Sequence, residues 1–325
     1  MQVDRPDVES PLVAIPKRLV ASRFQIVGLL GRGGTSEVYR ALDTHTGRHI
    51  ALKALRRSLR DCDGLVADLR DEAEALTRLA HSECLPALVE ASHDTVLGPY
   101  IAMRIMSGEA LSMRTLARTP WSADATIAMT SRLLRAVTAA HAAGVVHRDI
   151  KPANVLCDAL GRPSLVDFGS SCRVDGSGVG RDDCVVGTPG FMAPEQFAGR
   201  SSIRSDLFGV GAVSYAMVSG RAPYTLGTGR RSLYALVSAG GVMPPCTDDR
   251  RSLTELWPWL ERGLRAREEE RYPSALAMSD ALAELAGRRG SARDTVEAGA
   301  VPRIETIVAL SLIGALVMWL AWNSS

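Results

Sequence analysis

The feature that most constrains this chain is a run of eight residues near its middle, which reads HRDIKPAN from His147 to Asn154. The run brings one carboxylate, two cations and one amide together on a short stretch. The triplet Asp167-Phe168-Gly169 begins 18 residues after Asp149, and residues 187–195 read GTPGFMAPE. So many ionisable and hydrogen-bonding side chains close together favour a site of chemistry over a packing element.

A glycine-rich turn lies nearer the N-terminus, between two strand-like segments. Residues 30–38 read LGRGGTSEV, and residues 50–53 read IALK. Glycines let the backbone approach phosphate oxygens and present N–H groups to them, but the same pattern also occurs in ordinary hairpins. Lys53 alternates with apolar residues, so it is either the solvent side of a strand or a cation aimed at phosphates.

Periodicity predicts a small β-rich portion followed by a larger helical portion. Strands are expected near residues 24–30, 37–42 and 49–55. Asp63 is a possible N-cap of an amphipathic helix. Ser122 could cap a helix that ends at Gly144, and an apolar helix at 207–218 would end at Gly220.

Composition excludes several classes of protein. The 325 residues are 46% apolar, enough for a large core, which excludes wholesale disorder. With 38 Lys+Arg against 36 Asp+Glu, the chain has no strong basic excess, so we expect no nucleic-acid partner. The cysteines are scattered and form no close pair, which favours reduced thiols over a disulfide framework or a zinc site: Cys62, Cys84, Cys157, Cys172, Cys184 and Cys246.

Taken together, the motifs resemble those of the eukaryotic-type serine/threonine protein kinases that bacteria carry, from about Phe24 to Leu285. The resemblance implies an α+β, two-lobed protein kinase fold with a β-rich N-lobe and a helical C-lobe. We expect an N-terminal flank at 1–22 and a kinase domain at 23–287, divided at about residue 106. The implied reaction transfers the γ-phosphate of ATP to Ser/Thr hydroxyls of protein substrates, including the kinase itself. The implied ion is Mg²⁺, with Mn²⁺ as an alternative.

The resemblance also implies roles for four residues around the HRDIKPAN run. Asp149 would accept the proton of the substrate hydroxyl, and Lys151 would neutralise charge on the γ-phosphate. Asn154 and Asp167 would hold the metal ion, since their oxygens suit a hard cation.

A lysine and a glutamate complete the implied catalytic set. Lys53 would contact the α- and β-phosphates and pair with a helix glutamate. Glu72 is the better candidate, because Glu74 lies about 200° around the helix from it.

The implied nucleotide site combines the glycine-rich turn with an adenine pocket. Ser36 stands where the family has its third glycine, which we do not read as loss of activity. Met103 would be the gatekeeper, and main-chain groups of Arg104 and Met106 would bind the adenine edge. The full expected set is Leu30, Gly31, Gly33, Val38, Ala51, Lys53, Met103, Arg104, Met106 and Leu156.

Further residues match structural positions of the family. Glu195 and Arg271 would form an ion pair in the large lobe, and Asp206 would anchor the backbone of the catalytic loop. Leu76, His147 and Phe168 would stack as packing residues of the active state.

Two alternatives stay open for the activity switch. The resemblance pairs Arg148 with a phosphorylated residue, but residues 170–186 contain no threonine, and Asp182 occupies the usual phosphothreonine position. Either the Asp182 carboxylate partly replaces the phosphate, or Asp182 is a solvated charge and Ser177 is the switch. Thr188 matches a structural threonine that touches Asp149.

The C-terminal segment predicts a membrane anchor. Residues 306–322 form an uncharged run of 17 residues, about 25 Å as a helix against about 30 Å of hydrocarbon. We expect a juxtamembrane linker at 288–303, a transmembrane helix at 304–322 and an extracytoplasmic tail at 323–325. Arginines before the run place the kinase in the cytoplasm, as a single-pass protein of the inner membrane. The alternative is a buried C-terminal helix.

Two other functions compete with the kinase. The first is a catalytically weak pseudokinase acting as a membrane-tethered scaffold, although Lys53, Asp149 and Asp167 are all present. The second is a kinase for small molecules, against which residues 187–195 argue because they resemble a peptide-binding platform. Incubation with Mg·ATP and protein acceptors would separate the three.

Overall fold

The computed structural model describes residues 19–174, 187–224, 234, 237–239 and 250–293. The chain divides into two compact units: one runs to Val66 and includes Val89–Ile105, and the other comprises Ala67–Leu88 and the chain from Met106. Residues 67–88 were expected in the smaller lobe, but they group with the larger unit.

The first unit is built on a six-stranded sheet. The strands are β1 Leu19–Val20, β2 Phe24–Arg32, β3 Ser36–Asp43, β4 Arg48–Leu55, β5 Leu88–Asp94 and β6 Gly98–Arg104. Their order in the sheet is β1-β2-β3-β4-β6-β5. Alternation along β2 buries Phe24 and Ile26 and exposes Gln25 and Val27, so one face of the sheet forms the core of this unit.

Arg23 joins three strands of this sheet through its guanidinium group. It donates to both carboxylate oxygens of Asp43 at 2.8 Å and to Glu90 at 2.8 Å, and Glu90 also accepts from the Tyr100 hydroxyl at 2.6 Å. The bonds from Arg23 hold the pKa of the Asp43 carboxyl well below its usual range. Charge pairing therefore fixes the register at the end of the sheet away from the glycine-rich turn.

The second unit is mainly helical. Its helices are α1 Asp63–Arg78, which begins in the first unit, α2 Met113–Arg118, α3 Ala123–Ala142, α4 Pro194–Phe197, α5 Ile203–Ser219, α6 Arg250–Gly263 and α7 Ala275–Arg293. Short strands are β7 Glu109–Ala110, β8 Val145–Val146, β9 Val155–Cys157, β10 Pro163–Leu165 and β11 Cys172–Arg173. Short 3₁₀ helices cover Arg57–Leu59 in the first unit and Pro152–Asn154 and Glu268–Glu270 in the second.

The helix ends follow local sequence signals. Ser122 caps α3 by accepting from the Ala125 N–H at 3.3 Å, as predicted. The apolar helix α5 ends at Gly220, which has φ 69°, also as predicted, but it begins at Ile203, four residues before the predicted start. Asp63 is the first residue of α1 rather than its cap.

Several predictions fall on residues outside the described ranges. They are the flank 1–18, the candidate switch residues Ser177 and Asp182, the thiols Cys184 and Cys246, and the proposed anchor 304–322. Helix α7 continues to Arg293, so residues 288–293 of the expected linker are helical. Within the described ranges, no helix combines the length and apolar character that a membrane crossing requires.

Four of the six cysteines lie within the described residues. Cys62, Cys84, Cys157 and Cys172 are free. In the same part of the chain, no group of three or more His, Cys, Asp or Glu side chains is placed to hold a metal ion.

Candidate active site

The HRDIKPAN run lies in the second unit directly after β8, where it forms a loop that ends in the short helix Pro152–Asn154. Buried Asp206 of α5 positions its backbone, accepting from the N–H groups of His147 and Arg148 at 2.8 Å each. The same carboxylate bonds the Nε2 of His141 at 2.8 Å. Burial opposes ionisation of Asp206, but the hydrogen bond from His141 and the two nearby histidines lower its pKa. The prediction that Asp206 anchors this loop is confirmed.

Two residues of the site adopt left-handed backbone conformations. Arg148 has φ 67° and Asp167 has φ 65°, values that are uncommon for residues other than glycine. Such conformations cost about 1–3 kcal/mol each and persist where the surroundings hold them, which is typical of functional sites. The Arg148 guanidinium donates to the backbone oxygens of Ser170 and Ser171, so this side chain already has partners within the described residues.

Asp149 is the centre of a compact polar cluster. Its Oδ2 accepts from Lys151 Nζ at 2.7 Å and from Asn154 Nδ2 at 3.3 Å, and its Oδ1 accepts from Thr188 Oγ1 at 2.8 Å. Lys151 Nζ also donates to Thr188 Oγ1 at 2.7 Å. A carboxylate can accept about four hydrogen bonds, so Oδ1 keeps one acceptor position for a further donor. The predicted contact between Thr188 and Asp149 is confirmed.

The triplet at 167–169 places one residue inward and one outward. Phe168 is buried and packs edge-on against His147, with ring centroids 4.6 Å apart. His147 accepts from the Asp149 N–H at Nδ1 (3.2 Å), so its Nε2 carries the hydrogen and donates to the Val166 carbonyl at 3.0 Å. The neighbouring Asp167, by contrast, is exposed.

The donor chemistry of Asn154 and Asp167 fits Mg²⁺. The Asn154 Nδ2 is engaged with Asp149, donating to its carbonyl at 2.9 Å, which leaves the amide oxygen as the coordinating atom. One amide oxygen and one carboxylate are too few for a complete shell. Two protein ligands suit Mg²⁺, which usually retains several water ligands and also binds the phosphates of the substrate.

The glycine-rich turn lies in the first unit, where β2 and β3 form a hairpin. Gly31 pairs with Val38, and the Gly33 N–H donates to the Ser36 carbonyl at 2.8 Å. A Cβ on Gly31 would meet no atom within 4 Å, so packing inside the protein does not require glycine there. Leu30 precedes the turn and is 51% exposed.

Lys53 lies on β4, opposite Val38 in the register, and is only 8% exposed. The alternative that it is the solvent side of a strand is therefore wrong. Ala51, on the same strand, pairs with Met103 of β6, and both are buried. The strand pairing thus aligns Val38, Lys53, Ala51 and Met103 across one part of the sheet.

The remaining predicted residues are distributed between the units. Arg104 ends β6 in the first unit, whereas Met106 and Leu156 belong to the second. Glu72 is buried on α1, while Glu74 is exposed and pairs with Arg78 at 2.9 Å. The two glutamates occupy different faces of the helix, as the 200° separation predicts.

The predicted pair of Glu195 and Arg271 is confirmed. The guanidinium donates to both carboxylate oxygens at 2.7 and 2.8 Å, with both side chains buried. Burial alone would raise the pKa of Glu195, but the bonds from Arg271 and Ser205 lower it. The pair fixes the segment 187–195 to the helical core.

Comparison with known proteins decides the family. Residues 24–256 match the family model described as the protein kinase domain. The chain belongs to the protein kinase family.

Several bacterial kinases are similar to this family member. Serine/threonine-protein kinase PkaA of Streptomyces coelicolor is 32% identical over 309 residues, covering 90% of this chain and 55% of PkaA. PksC of the same organism is 32% identical over 296 residues, covering 87% and 52%. The DNA damage-responsive serine/threonine-protein kinase RqkA of Deinococcus radiodurans is 31% identical over 280 residues, covering 84% and 41%. The chain thus spans about half the length of these relatives, or less.

Sequence reasoning missed three residues that build the kinase site. His141 bonds Asp206, Ser205 donates to Glu195 at 2.7 Å, and Gln196 donates to the Arg148 carbonyl at 2.6 Å. Gln196 directly follows the GTPGFMAPE motif, and this adjacency was the one available signal. His141 and Ser205 lie in helices, where the spacing of apolar residues predicts which side chains are buried but not which hydrogen bonds they form.

Proposed function

We propose that this chain is a serine/threonine protein kinase that transfers the γ-phosphate of ATP to hydroxyl groups of proteins, including its own. The observation that carries the proposal is the cluster in which Asp149 is held by Lys151 and Thr188 at 2.7 and 2.8 Å. The names of the similar bacterial proteins support the Ser/Thr class, and so does the lysine two residues after Asp149.

Asp149 acts on the acceptor hydroxyl. The hydroxyl donates to the open acceptor position on Oδ1, so its oxygen is oriented for in-line attack and its proton has a destination. Thr188 and Lys151 fix the carboxylate rotamer through bonds to opposite oxygens. The gain in rate comes from this positioning, because the loose transition state needs little covalent chemistry.

Charge on the transferred group is the second requirement. Lys151 Nζ supplies a cation within the cluster for the transferred phosphoryl group. Lys53 is assigned to the α- and β-phosphates instead. Mg²⁺, or Mn²⁺, held by Asn154 and Asp167 would neutralise the phosphate oxygens when bound. The cysteines take no part in the proposed phosphoryl transfer.

The Asp149→Asn variant tests the proposal on purified full-length chain with Mg·ATP and a generic protein acceptor. Asparagine keeps the shape but cannot take the hydroxyl proton, so kcat should fall by about 100-fold or more while KM for ATP changes little. Asp124→Asn, on the first turn of α3, is the matched control and should behave as wild type. Wild-type turnover in Asp149→Asn would refute the mechanism, and an inactive wild type would favour the pseudokinase.

We further propose that residues 304–322 anchor the kinase in the inner membrane as a single pass, with the kinase domain in the cytoplasm. The uncharged run and the arginines at 288, 289, 293 and 303 support this arrangement. A variant ending at Arg293 keeps α7 whole and should be an active enzyme that fractionates without detergent.

Ile313→Arg provides a sharper test within the full-length chain. A charge near the middle of the run costs about 2.5–3.5 kcal/mol of insertion, so membrane recovery should fall. Ser324→Glu, beyond the run, is the control: it adds a charge without adding a cation to the translocated side, so it should leave recovery unchanged. The anchor proposal fails if the unmodified chain fractionates as a soluble protein.

A further inference from the structure

We propose that Gln196 is a positioning residue that fixes the peptide carrying Asp149 against the segment that carries Thr188. The proposal deepens the kinase function and rests on it. Gln196 is the third residue of the short helix α4 and is 3% exposed. Its side-chain amide is a buried polar group of the second unit whose contribution the mechanism above does not use.

The Gln196 amide bridges two pieces of backbone. Its Nε2 donates to the Arg148 carbonyl at 2.6 Å, and its Oε1 accepts from the Ala193 N–H at 3.0 Å. A side-chain amide presents one donor and one acceptor at a fixed separation. The bridge therefore sets the spacing between the catalytic loop and the segment 187–195.

The first bond, from Gln196 Nε2 to the Arg148 carbonyl, restrains a residue whose backbone conformation is strained. Arg148 adopts φ 67°, and its N–H is held by Asp206 while its carbonyl is held by Gln196. The N–H of the next peptide, from Asp149, donates to His147 Nδ1. Gln196 thus completes the restraint on the peptide plane from which the Asp149 side chain departs.

The second bond, from the Ala193 N–H to Gln196 Oε1, restrains the segment that carries Thr188, the hydrogen-bond partner of Asp149. Thr188 lies five residues before Ala193, and Gly187 lies directly beside the bridge. A Cβ on Gly187, which has φ 127°, would lie 3.2 Å from the Arg148 oxygen and 3.3 Å from Gln196 Nε2. The close approach at Gly187 and the amide bridge together place Thr188 within reach of Asp149.

Gln196→Met removes both hydrogen bonds at nearly constant volume. Because misplacement of a catalytic group by a fraction of an ångström lowers the rate, kcat should fall by about 10- to 100-fold. KM for ATP should change little, since neither the Arg148 carbonyl nor the Ala193 N–H is assigned to the nucleotide. Circular dichroism and thermal unfolding establish that the variant is folded.

Gln196→Glu gives a readout that a purely structural role would not produce. Ionised glutamate would place an oxygen against the Arg148 carbonyl, and the two acceptors would repel each other. Protonated glutamate has an O–H that can donate in place of Nε2, and burial raises the pKa of such a carboxyl. The activity of the variant relative to wild type should therefore rise as pH falls between about pH 8.5 and 5.5.

Gln25→Glu is the matched control, because Gln25 is the same residue type at an exposed position of β2. Its activity relative to wild type should stay constant across the same pH range. If Gln196→Met fails to fold, the pH response of Gln196→Glu tests by itself whether Gln196 is a positioning residue. A wild-type kcat in Gln196→Met, or a flat relative profile in Gln196→Glu, overturns this inference while leaving the kinase function intact. An inactive wild type overturns the kinase function itself.

Discussion

At the scale of single residues, the pair of Glu195 and Arg271 is an ion pair in which both side chains are buried. Arg271 also donates to the carbonyls of Arg204, Arg265 and Ala266, at 2.7 to 3.1 Å. A buried guanidinium with this many acceptors cannot be rehydrated when its carboxylate is removed. The pair is therefore costly to break, even though a fully apolar replacement can be nearly neutral.

Arg271→Gln should lower the free energy of unfolding by about 3–5 kcal/mol, because it leaves Glu195 buried without its partner. Urea unfolding of the purified chain measures this change. Arg265→Gln is the control, since its pair with Glu261 (3.4 Å) is half exposed and should contribute less than about 1 kcal/mol. Equal losses in the two variants would contradict the argument.

At the scale of elements, the ends of helices in this chain depend on backbone conformation rather than on residue type alone. Gly220 ends α5 with φ 69°, and its N–H donates to the Ala216 carbonyl. A Cβ there would also lie 2.8 Å from the Leu116 carbonyl oxygen and 2.9 Å from the Ala117 Cα. Gly287 lies within α7, and a Cβ there would meet no atom within 4 Å.

Replacing glycine by alanine should therefore change the free energy of unfolding in opposite directions at Gly220 and Gly287. Gly220→Ala should destabilise the chain by about 1–3 kcal/mol through strain and the close backbone contacts. Gly287→Ala should stabilise it by about 0.5–1 kcal/mol, because alanine is the better helix former. Urea midpoints of both variants test the pair, and destabilisation by Gly287→Ala would show that α7 is packed at that position.

At the scale of the whole molecule, acid sensitivity arises from carboxylates in both units. Asp43, Glu195 and Asp206 have pKa values below their ordinary values of 3.8 and 4.5 because each is bonded to a cationic or N–H donor. The folded state then binds fewer protons than the unfolded state. The contribution of these groups is present above the ordinary carboxyl pKa and is lost as pH falls through the folded pKa. Asp71 opposes them weakly, since burial raises its pKa.

Stability should therefore fall as pH is lowered from about 5 to 3, and urea unfolding across this range measures the slope. The double variant Glu195→Gln/Arg271→Met removes one titrating group, so its slope should be shallower than that of wild type. An unchanged slope would mean that Glu195 does not contribute in the proposed direction.

Much of the fold and of the catalytic cluster could be predicted from sequence, because the informative residues are contiguous. The strands around the glycine-rich turn, the cap at Ser122 and the stop at Gly220 follow from local propensity. The first four residues of α5 were not predicted, although their signal is local: Ser202 is the N-cap, and its hydroxyl oxygen accepts from the Arg204 N–H at 3.1 Å. That contact helps to set where the helix begins.

By itself, the sequence determined the family and the residues that offer chemistry, since carboxylates, lysines and glycines in a fixed order reveal their function by type. Only the tertiary structure decided how those residues are held. Gln196 reaches the Arg148 carbonyl across 48 residues, and His141 reaches Asp206 across 65. The Gln196 bond ends on a main-chain carbonyl, which requires no particular residue at the acceptor, and the His141 bond joins two side chains that are far apart in sequence, so neither bond leaves a local pattern. Such bonds exist only once folding has brought the two segments together.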